Sequence, residues 1–104
     1  MEFVAVFITT PTIKEAKKIS SALVKQHIVA CSNIVKGIDS IFWWQGKIDT
    51  AKEVLLIAKT KRPLLKKLIK VTKCNHSYDV PEIIAFPIIG GNKDYLDWIK
   101  KEAR

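Results

Sequence analysis

The sequence predicts an α+β fold in which helices cover one face of an antiparallel sheet. Three observations support this prediction: strand-like and helix-like segments alternate, an amphipathic helix pattern follows the first strand, and a long hairpin pattern occupies the middle of the chain. The order is β-α-β-β-α-β with one further helix, which is the split βαβ or ferredoxin-like plan. No linker-like stretch interrupts it, so residues 1–104 are expected to form one domain.

The first strand is predicted at the apolar run from Phe3 to Ile8, whose composition suggests burial on both faces. An amphipathic helix of roughly 14 residues follows, because apolar residues recur there every three or four positions. Thr12 and Glu15 have the spacing of a capping box at its start. His27, at its end, is expected to be a cation near a helix C-terminus.

The central segment is predicted to be a long β-hairpin with strands at residues 28–44 and 48–60 and a turn at Gln45-Gly46. The Phe-Trp-Trp run at residues 42–44 lies at its tip. A monomer of this size can hardly cover so many aromatic side chains, and an exposed apolar patch usually marks an interface. The sequence therefore predicts a homo-oligomer.

The last third is predicted to contain a helix, a strand and a final helix. Pro63 suits the first turn of the second helix, and residues 83–86 form the fourth strand. The final helix follows Gly90-Gly91-Asn92. Its predicted shared face carries Tyr95, Trp98, Ile99 and Glu102.

The cysteines and histidines are the candidate soft metal ligands. A closed zinc site within one chain is not expected, because only Cys74 and His76 are close in sequence and such sites need two close pairs. Cys31 lies in a predicted strand, where a buried structural thiol is the preferred interpretation. Cys74 ends a helix and is expected to be exposed, so it is the better thiol for a soft metal such as copper.

The loop at residues 75–82 concentrates polar groups between a helix and a buried strand. His76, Asp79 and Glu82 could jointly bind a divalent cation or set a pKa. In the alternative, His76 and Tyr78 satisfy loop carbonyls and pack the helix end, as most buried polar groups do. No recognisable nucleophile or phosphate-loop signature occurs in the sequence, so we do not expect an enzyme or an organic cofactor.

The chain is basic, with 18 Lys and Arg against 10 Asp and Glu and a formal charge of +8. No acid occurs between Val54 and Tyr78, and basic residues there recur on one helical stripe. We interpret this stripe as a solvated helix face. A nucleic-acid partner is not expected, because no strand carries the aromatic pattern of an RNA-recognition motif. The stripe consists of Arg62, Lys66, Lys70 and Lys73.

The start of the sequence shows no targeting pattern. Its apolar run is far shorter than the ~18 residues that a membrane span needs, and no cationic segment or cleavage site accompanies it. We therefore expect a cytoplasmic protein with reduced thiols and no membrane partner.

Several segments together resemble the CutA family, the divalent-cation-tolerance proteins. They occur in family order over nearly the whole chain and include Ala30-Cys31-Ser32-Asn33-Ile34, the hairpin tip at residues 40–48 and the segment from His76 to Glu82. The resemblance implies a PII-like homotrimer of ferredoxin-like subunits with ligand clefts between subunits. It also implies a role in copper and divalent-metal tolerance. The family's Cys falls on Cys31 and its His on His76, whereas Ser77 and Asp79 depart from the family's Pro and Glu.

The leading hypothesis is a non-enzymatic homotrimer that binds a divalent cation, with Cu(II) as the first candidate, or a small anionic ligand near subunit interfaces. Copper(II) heads the affinity order for a generic site with nitrogen, oxygen and sulfur ligands. The alternatives are a sensory or scaffolding trimer that binds a metabolite or protein, and an RNA-binding module. The candidate metal ligands are His76 and Cys31, followed by Cys74 and Glu82.

Overall fold

The computed structural model describes residues 2–104 and contains one four-stranded sheet within them. All strand pairs are antiparallel, in the order β2-β3-β1-β4. The predicted α+β, ferredoxin-like fold with a C-terminal helix is confirmed. The elements are β1 (Phe3–Thr10), α1 (Ile13–Lys25), β2 (Cys31–Trp44), β3 (Lys47–Lys61), α2 (Leu65–Cys74), β4 (Ile83–Pro87) and α3 (Lys93–Glu102), with a 3₁₀ turn at Arg62–Leu64 before α2.

Helices α1 and α2 cover one face of the sheet. Thr12 caps α1 as predicted, since its side-chain oxygen accepts a hydrogen bond from the backbone N–H of Glu15 at 3.2 Å. The apolar stripes of both helices pack on the alternate residues of β1 and β3 that face them. The fully buried centre of this core is formed by Val6, Ile8, Ile19, Leu23, Leu56 and Leu68.

The prediction that β1 is buried on both faces is wrong for one face. Val4, Val6 and Ile8 are buried under the helices, whereas Ala5 and Phe7 on the opposite face are only half-buried. The reason is that α1 and α2 lie on the same side of the sheet, and on the other side α3 packs only near Phe3 at the start of β1. Phe7 packs there against Phe86, with 4.9 Å between ring centroids.

His27 lies at the end of α1, as predicted, and makes contacts there that the sequence does not reveal. It adopts a left-handed backbone conformation with φ 57° at the end of α1. Its Nδ1 donates to the carbonyl of Glu102 at 2.8 Å, and its Nε2 lies 3.3 Å from the guanidinium of Arg104. These contacts join the end of α1 to the end of α3 and to Arg104.

Helix α3 covers the end of the sheet with only part of its predicted face. Ile99 is fully buried and packs with Leu96 and Ala103. Tyr95 and Trp98 remain 43% and 40% exposed, with their ring centroids 5.4 Å apart. No helix within residues 2–104 has the length and hydropathy needed to cross a membrane.

Candidate functional site

A cleft of about 800 Å³ lies between the tip of the β2–β3 hairpin and the loop that joins α2 to β4. The hairpin supplies one wall because β2 and β3 extend well past the end of β1. The loop supplies the opposite wall, and Thr9 at the end of β1 contributes to the lining. The remaining lining residues are Asp39, Ser40, Ile41, Phe42, Trp44, Asp49, Glu53, Ser77, Tyr78, Asp79, Val80 and Glu82.

The cleft is acidic although the chain is basic. Five of its lining residues are carboxylates, which is half of the 10 acids in a chain whose formal charge is +8. Only one of the five forms an ion pair within residues 2–104: Asp39 lies 2.9 Å from the Nζ of Lys52, and both side chains are largely exposed. Hydrogen bonding to Asp39 raises the pKa of Lys52. The negative charges at the cleft come from Asp39, Asp49, Glu53, Asp79 and Glu82.

His76 anchors the loop wall to the sheet. Its side chain is fully buried, and its Nε2 donates to the carbonyl of Thr9 at 2.7 Å. Its Nδ1 accepts from the backbone N–H of Tyr78 at 3.1 Å and lies 3.3 Å from a carboxylate oxygen of Glu15. The same oxygen accepts from the backbone N–H of Ser77. Both ring nitrogens are thus engaged within the chain, and the carbonyl that His76 meets lies at the end of β1 and not in the loop.

Tyr78 ties the loop to the hairpin across the cleft. Its hydroxyl donates to a carboxylate oxygen of Glu53 on β3 at 3.0 Å. Desolvation, together with this hydrogen bond and the nearby negative charge, raises the pKa of Tyr78 to about 12. The phenol is therefore neutral and a donor near pH 7. It holds one oxygen of Glu53 and leaves the other lone pairs of that carboxylate available.

Apolar side chains form the rest of the hairpin wall. Trp44 is 53% exposed and Ile41 74% exposed, and Val80 on the loop side is 81% exposed. Large apolar side chains at these exposures are costly in water. The cleft therefore combines carboxylates with uncovered apolar surface.

The predicted ligands occupy different parts of the molecule. Glu82 lines the cleft, and His76 is buried behind its loop wall. Cys31 is half-buried at the start of β2, where its Sγ is 3.4 Å from the hydroxyl of Tyr95. Cys74 is exposed, as predicted, and lines a separate groove beside α2. Within residues 2–104, no three His, Cys, Asp or Glu side chains are arranged to share one metal ion.

Glu53 and Tyr78 form a link that the sequence does not reveal, because they are 25 residues apart. The acids of the hairpin are equally absent from the predicted site. One usable signal exists: half of all acids fall in the two segments 39–53 and 79–82, within a strongly basic chain. Clustering of the minority charge is therefore the pattern that indicates this site.

Comparison with known proteins gives a consistent result. The family model for the CutA1 divalent ion tolerance protein matches residues 4–102. Protein CutA 1, chloroplastic, from rice is 46% identical over 101 residues, which is 97% of this chain and 57% of the rice protein. The chain thus spans little more than half of that relative.

Solved structures agree with the sequence comparison. The divalent cation tolerance protein from Thermus thermophilus superposes with a TM-score of 0.96 at 44% identity, over all of both chains. The periplasmic divalent cation tolerance protein CutA from Archaeoglobus fulgidus gives a TM-score of 0.95 at 38% identity, over 98% of this chain and 99% of that one.

The expectation of a cytoplasmic protein is wrong, because similar proteins carry names that place them elsewhere. The rice relative is named chloroplastic and the Archaeoglobus structure is described as periplasmic. The reason for the error is that an early apolar strand and the lack of a leader pattern say little about compartment. The resemblance in sequence motifs, by contrast, is confirmed by the family model, by sequence identity and by fold. The chain belongs to the CutA1 divalent ion tolerance family.

Proposed function

We propose that this protein is a non-enzymatic homotrimer whose acidic cleft binds a divalent cation, with Cu(II) as the first candidate. The observation that carries the proposal is the clustering of five carboxylates at one cleft of a chain with a formal charge of +8. Family membership supports the link to divalent cations, because relatives are named for tolerance to such ions and not for a reaction.

Uncovered apolar surface supports assembly. Trp43 is 73% exposed at the hairpin tip, and Ile84 and Phe86 on the edge strand β4 are 45% and 44% exposed. The outer edge of β4 pairs with no strand within residues 2–104. Exposed edges and apolar patches of this kind are usually covered by another chain. A neighbouring subunit that covers the hairpin would also close the adjacent cleft.

The chemistry of the cleft favours a cation over a small anion. Carboxylate oxygens bind divalent metals, whereas they repel the small anionic ligand that the sequence left open. The residues of one chain fit such a cation in donor type but supply no complete set of three side chains within residues 2–104. We therefore propose that the site is completed at an interface between subunits.

Among the four candidate ligands, Glu82 is the one that lines the cleft. Binding of a metal by His76 requires that its ring release either the Thr9 carbonyl or the Tyr78 N–H. Cys31 and Cys74 do not line the cleft, so their role as ligands requires a site elsewhere. We propose Glu82 as a direct ligand and His76 as the residue that positions the loop around it.

Titration calorimetry with Cu(II) tests the proposal. Binding is expected in the unmodified protein, and it should weaken at acid pH because metal ligands must be deprotonated. Glu82→Gln should weaken binding by about tenfold or more, in the range seen when one metal-supporting group is lost. Asp97→Asn is the matched control, since Asp97 pairs with Lys93 on the surface of α3, away from the cleft.

Two outcomes would contradict the proposal. Equal weakening by both substitutions would indicate a general charge effect and not a site. Unchanged binding in Glu82→Gln would remove the cleft as the cation site. Sedimentation of the unmodified protein tests the assembly separately: three chains of 11.8 kDa give about 35 kDa, and a single 11.8 kDa species would exclude the trimer.

A further inference from the structure

The outer surface of the α1–α2 layer carries nearly all of the net charge of the molecule. The two helices hold eight lysines and a single acid, which is a formal charge of +7 in a chain whose total is +8. All eight lysines are exposed. They are Lys14, Lys17, Lys18 and Lys25 on α1 and Lys66, Lys67, Lys70 and Lys73 on α2.

This concentration of charge follows from the way the two helices pack. The buried residues of α1 and α2, such as Ile19 and Leu68, join one core cluster on the same side of the sheet. Their polar faces therefore point away from the sheet together. The single acid, Glu15, is partly buried and already accepts a hydrogen bond from Ser77. Within residues 2–104, none of the eight lysines takes part in an ion pair.

A groove of about 630 Å³ runs between the end of α1 and α2 within this surface. Three lysine side chains border it, and the amide side chains of Gln26 and Asn75 complete its polar lining. No acid from the described part of the chain lines the groove. Its full lining is Gln26, Lys66, Lys67, Lys70, Val71, Cys74 and Asn75.

The composition of the surface indicates what kind of polyanion it suits. Lysine is a flexible point charge that can pair with phosphate, and it lacks the rigid planar fork with which arginine makes bidentate contacts. The surface contains no aromatic residue that would stack on unpaired bases, because the helices carry none. The apolar stripes of both helices are buried, so the surface has almost nothing to insert into a bilayer.

We propose that the α1–α2 surface binds the phosphate backbone of duplex nucleic acid without sequence preference. Two adjacent helices about 20 and 15 Å long, with axes about 8–10 Å apart, present two rows of ammonium groups. Each row is long enough to face several phosphates, because duplex DNA carries about one negative charge per 1.7 Å of helix axis. The interaction is independent of the acidic cleft, which lies at the hairpin and carries the opposite charge.

Fluorescence anisotropy with a labelled mixed-sequence DNA duplex of about 20 bp tests this proposal, in the presence of a chelator so that no metal contributes. If four lysines contact phosphates, the affinity should fall about 100-fold between about 50 and 200 mM salt. The double variant Lys66→Gln/Lys70→Gln should reduce this fall to about tenfold, because two contacts are lost. The matched control Lys36→Gln/Lys47→Gln removes the same charge from the hairpin and should retain the full salt dependence.

Four results would overturn the proposal. They are no detectable duplex binding at low salt, equal losses in the two double variants, tighter binding to a single strand of the same length, and tighter binding to vesicles that contain phosphatidylserine. The last result would assign the surface to membranes instead. Thermal unfolding of both variants checks that the losses do not come from misfolding.

Discussion

Two buried threonines show that the contribution of a buried hydroxyl to folding stability depends on whether it has a hydrogen-bond partner. Thr60 and Thr72 are both fully buried, on β3 and α2. The hydroxyl of Thr60 donates to the carbonyl of Ile28 at 2.5 Å and so fixes the chain between α1 and β2. The hydroxyl of Thr72 has no hydrogen-bond partner within residues 2–104. A buried polar group without a partner costs about 1–3 kcal/mol.

Replacement of each threonine by valine should therefore have opposite effects. Thr72→Val removes an unsatisfied hydroxyl at nearly constant shape and should raise the free energy of unfolding by about 1 kcal/mol. Thr60→Val leaves the Ile28 carbonyl without its donor and should lower the free energy of unfolding by about 1–3 kcal/mol. Urea unfolding of both variants measures the difference. Destabilisation by Thr72→Val would mean that its hydroxyl has a partner after all.

Tyr78 predicts a pH dependence of stability at alkaline pH. Its pKa is raised from 10.0 to about 12 in the folded chain, chiefly by desolvation and then by the bond to Glu53. The folded state therefore keeps a proton that the unfolded state loses. The stability from this group is fully present below pH 10 and is lost as pH rises toward 12.

Tyr78→Phe tests this dependence directly. The variant should be less stable than the unmodified protein near neutral pH, by about 0.5–1 kcal/mol for one half-exposed hydrogen bond. The difference in free energy of unfolding between the two proteins should narrow between pH 10 and about 12. In that range the unmodified protein loses the stability linked to the Tyr78 proton, whereas phenylalanine does not titrate. Denaturant unfolding at several alkaline pH values measures it. A constant difference across that range would show that the Glu53 bond is not linked to the Tyr78 proton.

His76 shows the limit of sequence analysis at the scale of one residue. Its loop position and its two competing roles are visible in the sequence. Its partners Thr9 and Glu15 are more than 60 positions earlier, so no local pattern joins them. Only the packing of β1 and α1 against the end of α2 determines which ring nitrogen meets which group.

At the scale of the element, the β2–β3 hairpin is the feature that creates the cleft. Its register shifts between Val35 and Ile38, where Lys36 and Gly37 stand opposite the single residue Val54. This bulge lies where β3 passes the end of β1, and bulges bend and twist a strand. Gly37 has a φ of 75°, a conformation that costs little for glycine alone.

Gly37→Ala should therefore destabilise the protein through the backbone. An added Cβ meets no atom within 4 Å, so the expected cost of about 1–2 kcal/mol is conformational strain and not a clash. Gly90→Ala is the control, because its Cβ also meets nothing and its φ is outside the left-handed region. It should leave stability unchanged or slightly higher. Equal effects of the two substitutions in chemical denaturation would argue against strain at the bulge.

The elements themselves were largely predictable, for physical reasons that act locally. The cap at Thr12 and the turn at Gln45-Gly46 depend on neighbours within a few residues, and both are where the sequence predicts them. Burial was less predictable. The exposure of Phe7 and Trp98 depends on which side the helices pack, which is a property of the assembled sheet.

At the scale of the whole molecule, charge and apolar surface are separated. The helix layer is basic, the hairpin cleft is acidic, and exposed aromatic side chains lie on the hairpin, on the edge strand β4 and on α3. The chain extends 44 Å along its longest axis and 25 and 23 Å across. Adjacent lysine rows on α1 and α2 were not predictable from the α2 stripe alone.

The proposed trimer predicts the effect of a charge at the hairpin tip. Trp43→Lys alters a side chain that is 73% exposed in one chain, so it should leave the monomer fold intact while it breaks the assembly. Sedimentation should then change from about 35 kDa to the 11.8 kDa monomer. Val24→Lys is the control: this residue is 42% exposed at the end of α1, away from the hairpin. A Trp43→Lys protein that still sediments as a trimer would exclude the tip from the interface.

The outer hairpin also has a consequence for amide exchange with deuterium. Beyond the bulge, residues 38–44 pair with residues 47–53, and no third strand among residues 2–104 joins them. An isolated pair of strands is marginally stable in water, so its amides should exchange through local opening, ahead of those in β1. A partner that covers the tip would raise the free energy of this local opening by the free energy of its contacts. The amides of the tip would then exchange more slowly. The exchange rates of this one short segment would therefore report the free energy with which neighbouring molecules bind the hairpin tip.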